Sequence, residues 1–543
     1  MTTLARRDLL RAGGVAGLLA LAACDSTDKT PKPTPPPTST SAGPTTSAPP
    51  TTTRPPKPTP TPTPTPTTRP ATTADWNALG KGLAGQLVRP GEAEYGLSSQ
   101  IFNPRFDNVR PQGIVHCASA DDVAEAVRFA TRHEVAVAVR SGGHCYAGWS
   151  VGPGLVIDVS PMHAISTSGS AATVGAGSRL IDVYSTLAGQ GVGIPAGSCP
   201  TVGVAGLTLG GGIGVLDRVW GLTCDNVTAV DIVTADGKAL TCDATRNPDL
   251  YWACRGGGGG TFGVVTAFTF RTRPTADVAT WYLSWPWESA EAVISAWLRW
   301  LPGAPDELWG SVHLSSNPSG SSPSLSVVGT YFGGAGGELD AALDSFIGAV
   351  GSGPTDRSTG TNSFVQTMLT EAGCSELAVE QCRLAPGGQI NRQAYSGSSD
   401  WITRPMSATG IGTLLHGLQA RHDTPGVPDV AVQLDAAGGA INRVPAGATA
   451  FVHRDAICSV QYIANWYDTT PPSAVSSAAA WPGAMRRAMR PYVSGQAYQN
   501  YVDPSISDWQ QAYFGSNYRR LSRIKARYDP HNLFSHQQSV RPA

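Results

Sequence analysis

Val139-Arg140-Ser141-Gly142-Gly143-His144-Cys145-Tyr146-Ala147-Gly148-Trp149-Ser150 is the stretch on which the fold turns. The β-branched run Val135 to Val139 delivers the chain straight into clustered glycines and then into a nucleophilic side chain, His144. A second loop of the same kind is Gly197-Ser198-Cys199-Pro200-Thr201-Val202-Gly203-Val204-Ala205-Gly206, which runs on to Leu209-Gly210-Gly211-Gly212-Ile213-Gly214. Glycine lacks a Cβ and tolerates positive φ, so clustered glycines let successive N–H groups converge on phosphate or ring oxygens. Two such loops, one with His144 and one with Cys199, imply a single large, elongated cofactor.

Strands and helices alternate around these loops. Gly113 to His116 reads as a strand, and Ser119 caps a helix whose apolar face is Val123, Val127 and Ala130. Leu155 to Val159 is another strand, Leu180 to Leu187 a helix, and Val227 to Thr234 a strand closed by the turn Asp236-Gly237. The run Gly256 to Gly260, with Gly263, formally contains the dinucleotide pattern GxGxxG. A Rossmann fingerprint, however, follows a strand and opens a helix. Here the glycines lead into Val264-Val265-Thr266-Ala267-Phe268, which reads as a strand, so the rival is set aside.

Hydrophobic residues make up 41% of the 543 and charged residues only 15%, the balance of a folded enzyme rather than a disordered chain. The formal net charge of -1 and the lack of a basic stripe argue against a nucleic-acid partner. The N-terminus reads as an address. Arg6-Arg7 precedes a short apolar run, Ala12 to Ala23, ending in Leu21-Ala22-Ala23-Cys24. Paired arginines resemble a twin-arginine export signal for residues 1–24, and the ending resembles a lipobox that makes Cys24 a lipid anchor; an ordinary secretory signal is the alternative. Residues 25–73 are almost wholly Thr, Pro, Ser, Lys and Arg and read as a disordered stalk, able to reach on the order of 100 Å in extended form. Ten cysteines show no zinc-like pairing and no metal site is expected; Cys374 and Cys382 are close enough for a local disulfide, although connectivity stays open.

Several ordered motifs together carry a resemblance. They are Arg140 to His144, Cys199-Pro200-Thr201-Val202-Gly203, Gly210 to Gly214, Arg218 to Asn226, Trp252 to Gly258, Tyr498-Gln499-Asn500-Tyr501, Tyr513 to Tyr518, and Tyr528-Asp529-Pro530-His531-Asn532-Leu533-Phe534. From about Gly96 onward the chain resembles the berberine bridge enzyme-like FAD-linked oxidases with the vanillyl-alcohol oxidase fold. That resemblance implies an α+β protein. A PCMH-type FAD-binding domain of two α/β subdomains would span 74–273. A substrate domain with a helix-covered antiparallel sheet would span 274–491, and a C-terminal segment, 492–543, would return to the FAD domain.

The resemblance also implies site residues. His144 matches the histidine bonded to the flavin 8α-methyl and Cys199 the cysteine bonded to C6, giving bicovalent FAD. Arg140, Ser141, Gly142, Gly143 and Ser150 would accompany His144. Gly197, Val202, Gly203 and Gly206 would accompany Cys199, with Gly210, Gly211, Gly214, Val265 and Asn500 completing the cofactor site. Val202 falls at a gatekeeper position where valine goes with oxygen access. Tyr501 matches the family's general base, although an ordinary phenol near pKa 10 needs a neighbour or the flavin to lower it. Gln461 matches an active-site strand position and Asp435 is a second candidate, while Tyr146 and Tyr462 are candidates to complete the polar site.

In the substrate domain, Thr280 to Trp285, Leu308 to Leu314, Leu325 to Phe332, Val430 to Leu434 and Ile457 to Ile463 read as strands. Glu291 to Leu301 and Ala479 to Met489 read as covering helices, and one more helix is expected from Trp509 to Arg527. Trp281, Tyr282 and Trp287 would either face a substrate ring or sit in the core. The implied activity is an oxidase passing hydride from an alcohol carbon of a carbohydrate or bulky secondary metabolite to FAD, with O2 as acceptor. A non-catalytic or dehydrogenase-type flavoprotein and an oxidative cyclase are the alternatives; a cyclase calls for a carboxylate where Gln461 stands. The expected protein is an exported monomer, touching membrane only through Cys24, whose partners are a small-molecule substrate and O2.

Overall fold

The computed structural model describes residues 69–543, so the readings of the export signal, of Cys24 and of most of the stalk lie outside the described residues. The last residues assigned to the stalk belong to the fold. Thr72 caps a helix over Thr73–Gly82, its hydroxyl accepting from the Asp75 N–H, and Arg69 pairs with Asp75 at 2.7 Å. Among the described residues no helix is long and apolar enough to cross a membrane.

The chain is α+β. Its first sheet contains β1 (Gln86–Val88), β2 (Gly113–His116), β3 (Val137–Arg140) and β4 (Leu155–Asp158), in the order β1-β2-β4-β3. β4 runs parallel to both β2 and β3, which requires a crossover. The helix Ala120–His133 makes the crossover from β2 to β3, capped by Ser119 and ended by Glu134 in the left-handed conformation, with Val123, Val127 and Ala130 buried as their spacing predicts, and residues 141–154 carry the chain on from β3 to β4.

The second layer contains β5 (Ile165–Ser168), β6 (Ala171–Gly175), the short β7 (Val192–Gly193), β8 (Val227–Val233), β9 (Ala239–Asp243), β10 (Val264–Arg271) and β11 (Arg273–Pro274). Five of these form an antiparallel sheet, β5-β6-β10-β8-β9, and β7 pairs with β11. The glycine run enters β10 and not a helix, so the Rossmann rival fails on structure as well.

The third sheet is antiparallel throughout: β12 (Val278–Ser284), β13 (Leu308–Ser315), β14 (Ser324–Phe332), β15 (Asp356–Asn362), β16 (Ala394–Ile402), β17 (Val430–Ala436) and β18 (Cys458–Trp466), in the order β15-β12-β14-β13-β17-β18-β16. Helices Ala290–Trp300, Gly337–Val350, Ala408–His422 and Pro472–Met489 cover one face. Alternation along the strands gives that face the apolar residues: Trp281, Val312, Val327, Val432 and Val460 are buried there. The opposite face, with Tyr282, Ser315, Ser326, Gln433 and Gln461, looks into a cavity. Trp281 is therefore core, and Tyr282 faces the cavity.

Two readings are corrected. β15 and β16 have no counterpart in the sequence pattern, because Asp356–Asn362 is a polar edge strand and β16 is built largely of small and polar residues. The helix expected over Trp509 to Arg527 is broken. Trp509–Phe514 ends at Gly515, whose φ of 48° leaves the helical region, and a tight turn precedes the second helix, Tyr518–Tyr528.

Candidate active site

A cavity of about 1380 Å³ lies between the glycine-rich loops and the open face of the third sheet. Into its walls come Gly142, Gly143 and His144 from the loop after β3, and Cys199, Val202 and Gly203 from the second loop. Ser141, Ser150, Gly197, Gly206, Val265 and Asn500 line it too, as do Tyr146, Gln461 and Tyr501. One continuous space thus contains both nucleophilic side chains and the candidate catalytic groups.

The two loops press against each other. A Cβ on Gly142 would lie 2.9 Å from Gly203 Cα, and a Cβ on Gly203 would come as close to Gly142 Cα. Only glycine at both positions permits this approach. Ser141 Oγ donates to the Ala176 carbonyl at 2.6 Å, tying the first loop to the end of β6.

His144 is held on several sides. Its Nε2 is hydrogen-bonded to Thr201 Oγ1 at 2.9 Å, its ring stacks on Phe102 with centroids 3.9 Å apart, and Tyr395 Oη donates to its carbonyl at 3.0 Å. Burial, helped by Arg179, lowers its pKa to about 3. The imidazole is therefore neutral at ordinary pH and keeps a nucleophilic lone pair. Of the seven free cysteines among the described residues, Cys199 is the exposed one, open to the cavity although deep within the protein. Burial raises its thiol pKa, with Ser198 opposing.

The polar side of the cavity is aromatic. Tyr501 stacks on Tyr146 with centroids 5.3 Å apart and meets Tyr498 edge-on at 4.9 Å, and Gln461 Nε2 donates to Tyr146 Oη. Among the described residues no hydrogen bond is made to Tyr501 Oη, which leaves the hydroxyl for a substrate. Burial drives the Tyr501 pKa well up, and Tyr146, Asp435, Tyr498 and Cys199 push it the same way. Of the two means of lowering it, a neighbour or the flavin, the neighbours act the other way: the protein groups bearing most strongly on this phenol all oppose ionisation.

Five expected site residues are brought near the cavity but not into its wall. Arg140 points away, buried in an ion pair with Asp158 at 2.6 Å while donating to the carbonyls of Ser98 and Gln100, so it braces the loop from beneath. Gly210, Gly211 and Gly214 make room for packing: a Cβ would lie 2.7 Å from Asn500 Nδ2, 2.7 Å from Phe451 Cδ2 and 2.6 Å from the Ala196 carbonyl carbon, respectively. Asp435 shares the open face of the sheet with Gln433 but lies outside the cavity wall, accepting from Ser311 Oγ at 2.8 Å and from Ser459 Oγ at 3.4 Å, and burial pushes it up to about 6. It acts on the tyrosines by charge and not by contact. Tyr462 is also corrected, since strand alternation turns it to the helix-covered face, fully buried beside Asp400.

Sequence reasoning passed over Thr201, Phe102, Tyr395 and Gln433 as site residues. Thr201 stands inside the Cys199 motif and Gln433 faces the cavity two residues before Asp435, so both were within reach. Phe102 and Tyr395 carry no local signal, because tertiary packing alone brings them to His144. No metal-binding cluster occurs among the described residues. The donors present, a neutral imidazole and an open thiol flanking a long glycine-walled cavity, suit a flavin dinucleotide.

Comparison with known proteins agrees with this geometry. A family model described as FAD binding domain matches residues 111–243, and one described as berberine and berberine like matches residues 497–541. An uncharacterized FAD-linked oxidoreductase of Bacillus subtilis (strain 168), YgaK, is 33% identical over 467 residues, covering 85% of this chain and 97% of its own. The aclacinomycin-N/aclacinomycin-A oxidase of Streptomyces galilaeus is 32% identical, covering 82% of this chain and 88% of its own. Among solved structures, BBE-like 1 of Physcomitrella patens superposes with a TM-score of 0.78 at 30% identity, covering 86% of this chain and 99% of that one. With its FAD-binding subdomains, its seven-stranded substrate sheet and the cavity between them, the chain belongs to the berberine bridge enzyme-like FAD-linked oxidoreductases.

Proposed function

We propose that the protein is an oxidase that removes hydride from an alcohol carbon of a carbohydrate or bulky secondary metabolite, with FAD held covalently through both His144 and Cys199 and O2 as the final acceptor. The observation that carries this reading is the shared cavity, in which Tyr501, with its hydroxyl free, faces the same space as the His144 and Cys199 loops. A relative whose name describes an aclacinomycin oxidase supports the choice of a bulky substrate. Bound FAD would supply the hydride acceptor.

The protein's own residues do the rest. Once its own proton has passed to solvent, Tyr501 Oη, as the phenolate, takes the alcohol proton as the C–H bond breaks, and the Tyr501 oxygen is kept clear of other partners for that contact. Tyr146, fixed by Gln461, lies flat against Tyr501 and restricts its ring. Since the protein groups acting most strongly on Tyr501 oppose the phenolate, its ionisation waits for the cofactor and substrate to be in place. Val202 lines the same cavity as Cys199, and in this reading it is the small side chain that admits O2 to the flavin. The paired Arg6-Arg7 and the Leu21-Ala22-Ala23-Cys24 ending support placing this enzyme outside the cell membrane, tethered through a lipid at Cys24 or released.

Anaerobic mixing with substrate followed by admission of air tests the oxidase assignment. Candidates drawn from sugars, aromatic alcohols and polyketide glycosides are screened first by peroxide release. The expected result is bleaching under nitrogen and rapid return of the oxidised spectrum with stoichiometric peroxide. Flavin that stays reduced in air for minutes makes the protein a dehydrogenase instead.

A further inference from the structure

Thr201 comes from the Cys199 loop, yet its hydroxyl reaches back 57 residues to the His144 ring, 2.9 Å from Nε2. It is buried, 4% exposed, and among the described residues its Oγ1 has no other hydrogen-bonded partner. Phe102, stacked on the imidazole, fixes the ring plane but cannot distinguish one ring nitrogen from the other. Tyr395 holds only the His144 backbone. Thr201 is thus the group positioned to select the tautomer.

We propose that Thr201 is a positioning residue for flavin attachment: with its Oγ1 engaging Nε2 as acceptor of the ring N–H, the lone pair is left on Nδ1, which becomes the nitrogen free to bond the flavin 8α carbon. The proposal deepens, and rests on, the reading that His144 carries a covalent bond. A neutral imidazole has one N–H and one lone pair, and the hydrogen bond made by one nitrogen decides the role of the other. Burial keeps the ring neutral over the ordinary pH range.

The chemistry balances with dioxygen as oxidant. A C–H bond of the 8α-methyl breaks as the Nδ1–C bond forms, and Nε2 gives up its proton. The isoalloxazine gains one electron pair and two protons, and dioxygen then takes them and leaves as hydrogen peroxide. Thr201 Oγ1 therefore sits on the proton that must depart. Because the same residue belongs to the Cys199 loop, it also couples the two attachment points: the loop that presents the thiol orients the imidazole.

The test uses the full chain in a Cys199→Ala background, where His144 is the sole attachment point. Protein made under riboflavin limitation is given FAD, and acid-stable flavin and the mass of the His144 peptide are followed with time. Thr201→Val, which keeps the shape and removes the acceptor, is expected to slow attachment by roughly tenfold, the worth of one buried hydrogen bond. Thr201→Ser is expected to restore it. Should the valine variant not fold, Thr201→Ala carries the same expectation without a misplaced methyl. Attachment by the valine or alanine variant as fast as in Cys199→Ala alone overturns the role of Thr201. If Cys199→Ala alone releases all its flavin, attachment at His144 is refuted, and the role of Thr201 with it.

Discussion

Replacing Gly203 by alanine probes the contact on which the site depends. Gly203 has a φ of -80°, a value alanine adopts freely, so the substitution introduces no backbone strain. Its cost lies wholly in the new methyl, which would overlap Ser141 Oγ and the Gly142 nitrogen and come within 2.9 Å of Gly142 Cα. Ser141 cannot easily swing away, being hydrogen-bonded to Ala176 at 2.6 Å, and the Gly142 backbone has no rotamer to change. Carbon atoms settle at about 3.5–4.0 Å, so the loops must part by on the order of 1 Å. Overpacking of this kind costs about 1–3 kcal/mol, and a displacement of about 1 Å at a reacting centre can cost on the order of 100-fold in rate. We expect Gly203→Ala to melt lower, to contain less covalent flavin per protein, and to lose kcat/KM out of proportion to its folded fraction. Flavin content and kcat/KM indistinguishable from wild type would refute the claim that close approach of these loops builds the site.

Other perturbations follow from particular side chains. The disulfide Cys374–Cys382 spans a sequence separation of 8, and its removal by Cys374→Ser with Cys382→Ser is expected to cost about 2.5 kcal/mol on the chain-entropy estimate, measured by denaturant unfolding without reductant. Burial pushes the Asp158 carboxyl up, but Arg140 and Ser160 outweigh it and hold it below its ordinary value, so its contribution is present above the ordinary carboxylate range and is lost as pH falls through the lower folded value. Arg140→Leu strands that buried carboxylate and is expected to destabilise the fold by roughly 3–5 kcal/mol at neutral pH, less in acid; equal stability across pH would contradict the pairing. Asp435, pushed up to about 6, is ionised above that pH and opposes a phenolate at Tyr501. Asp435→Asn is therefore expected to move the rising limb of the pH–rate profile to lower pH; an unchanged limb would show that the charge does not reach Tyr501, and a shift to higher pH would contradict its sign.

Much of this arrangement is legible in the chain before folding. The glycine loops, the strands that feed them and the capped crossover helix follow local rules that a short window contains. What escaped depends on context. β15 is an edge strand whose residues are mostly exposed, so Asp356–Asn362 has no buried face to write an alternating pattern. Arg140, Gly210, Gly211 and Gly214 sit in the right motifs, but sequence does not separate a glycine that admits a ligand from one that admits Asn500 or Phe451. Tyr462 follows Gln461 directly, and the two-residue period of a strand sends them to opposite faces. Phe102 and Tyr395 reach His144 from distant parts of the chain, a meeting that no local pattern encodes.

The most direct measurement of the central claim is the mass of the denatured protein. Acid-denatured wild type is expected to retain the mass of one FAD, as are His144→Ala and Cys199→Ala singly, while the double variant loses it. Wild-type polypeptide that sheds its flavin on denaturation would contradict covalent anchoring by these two loops.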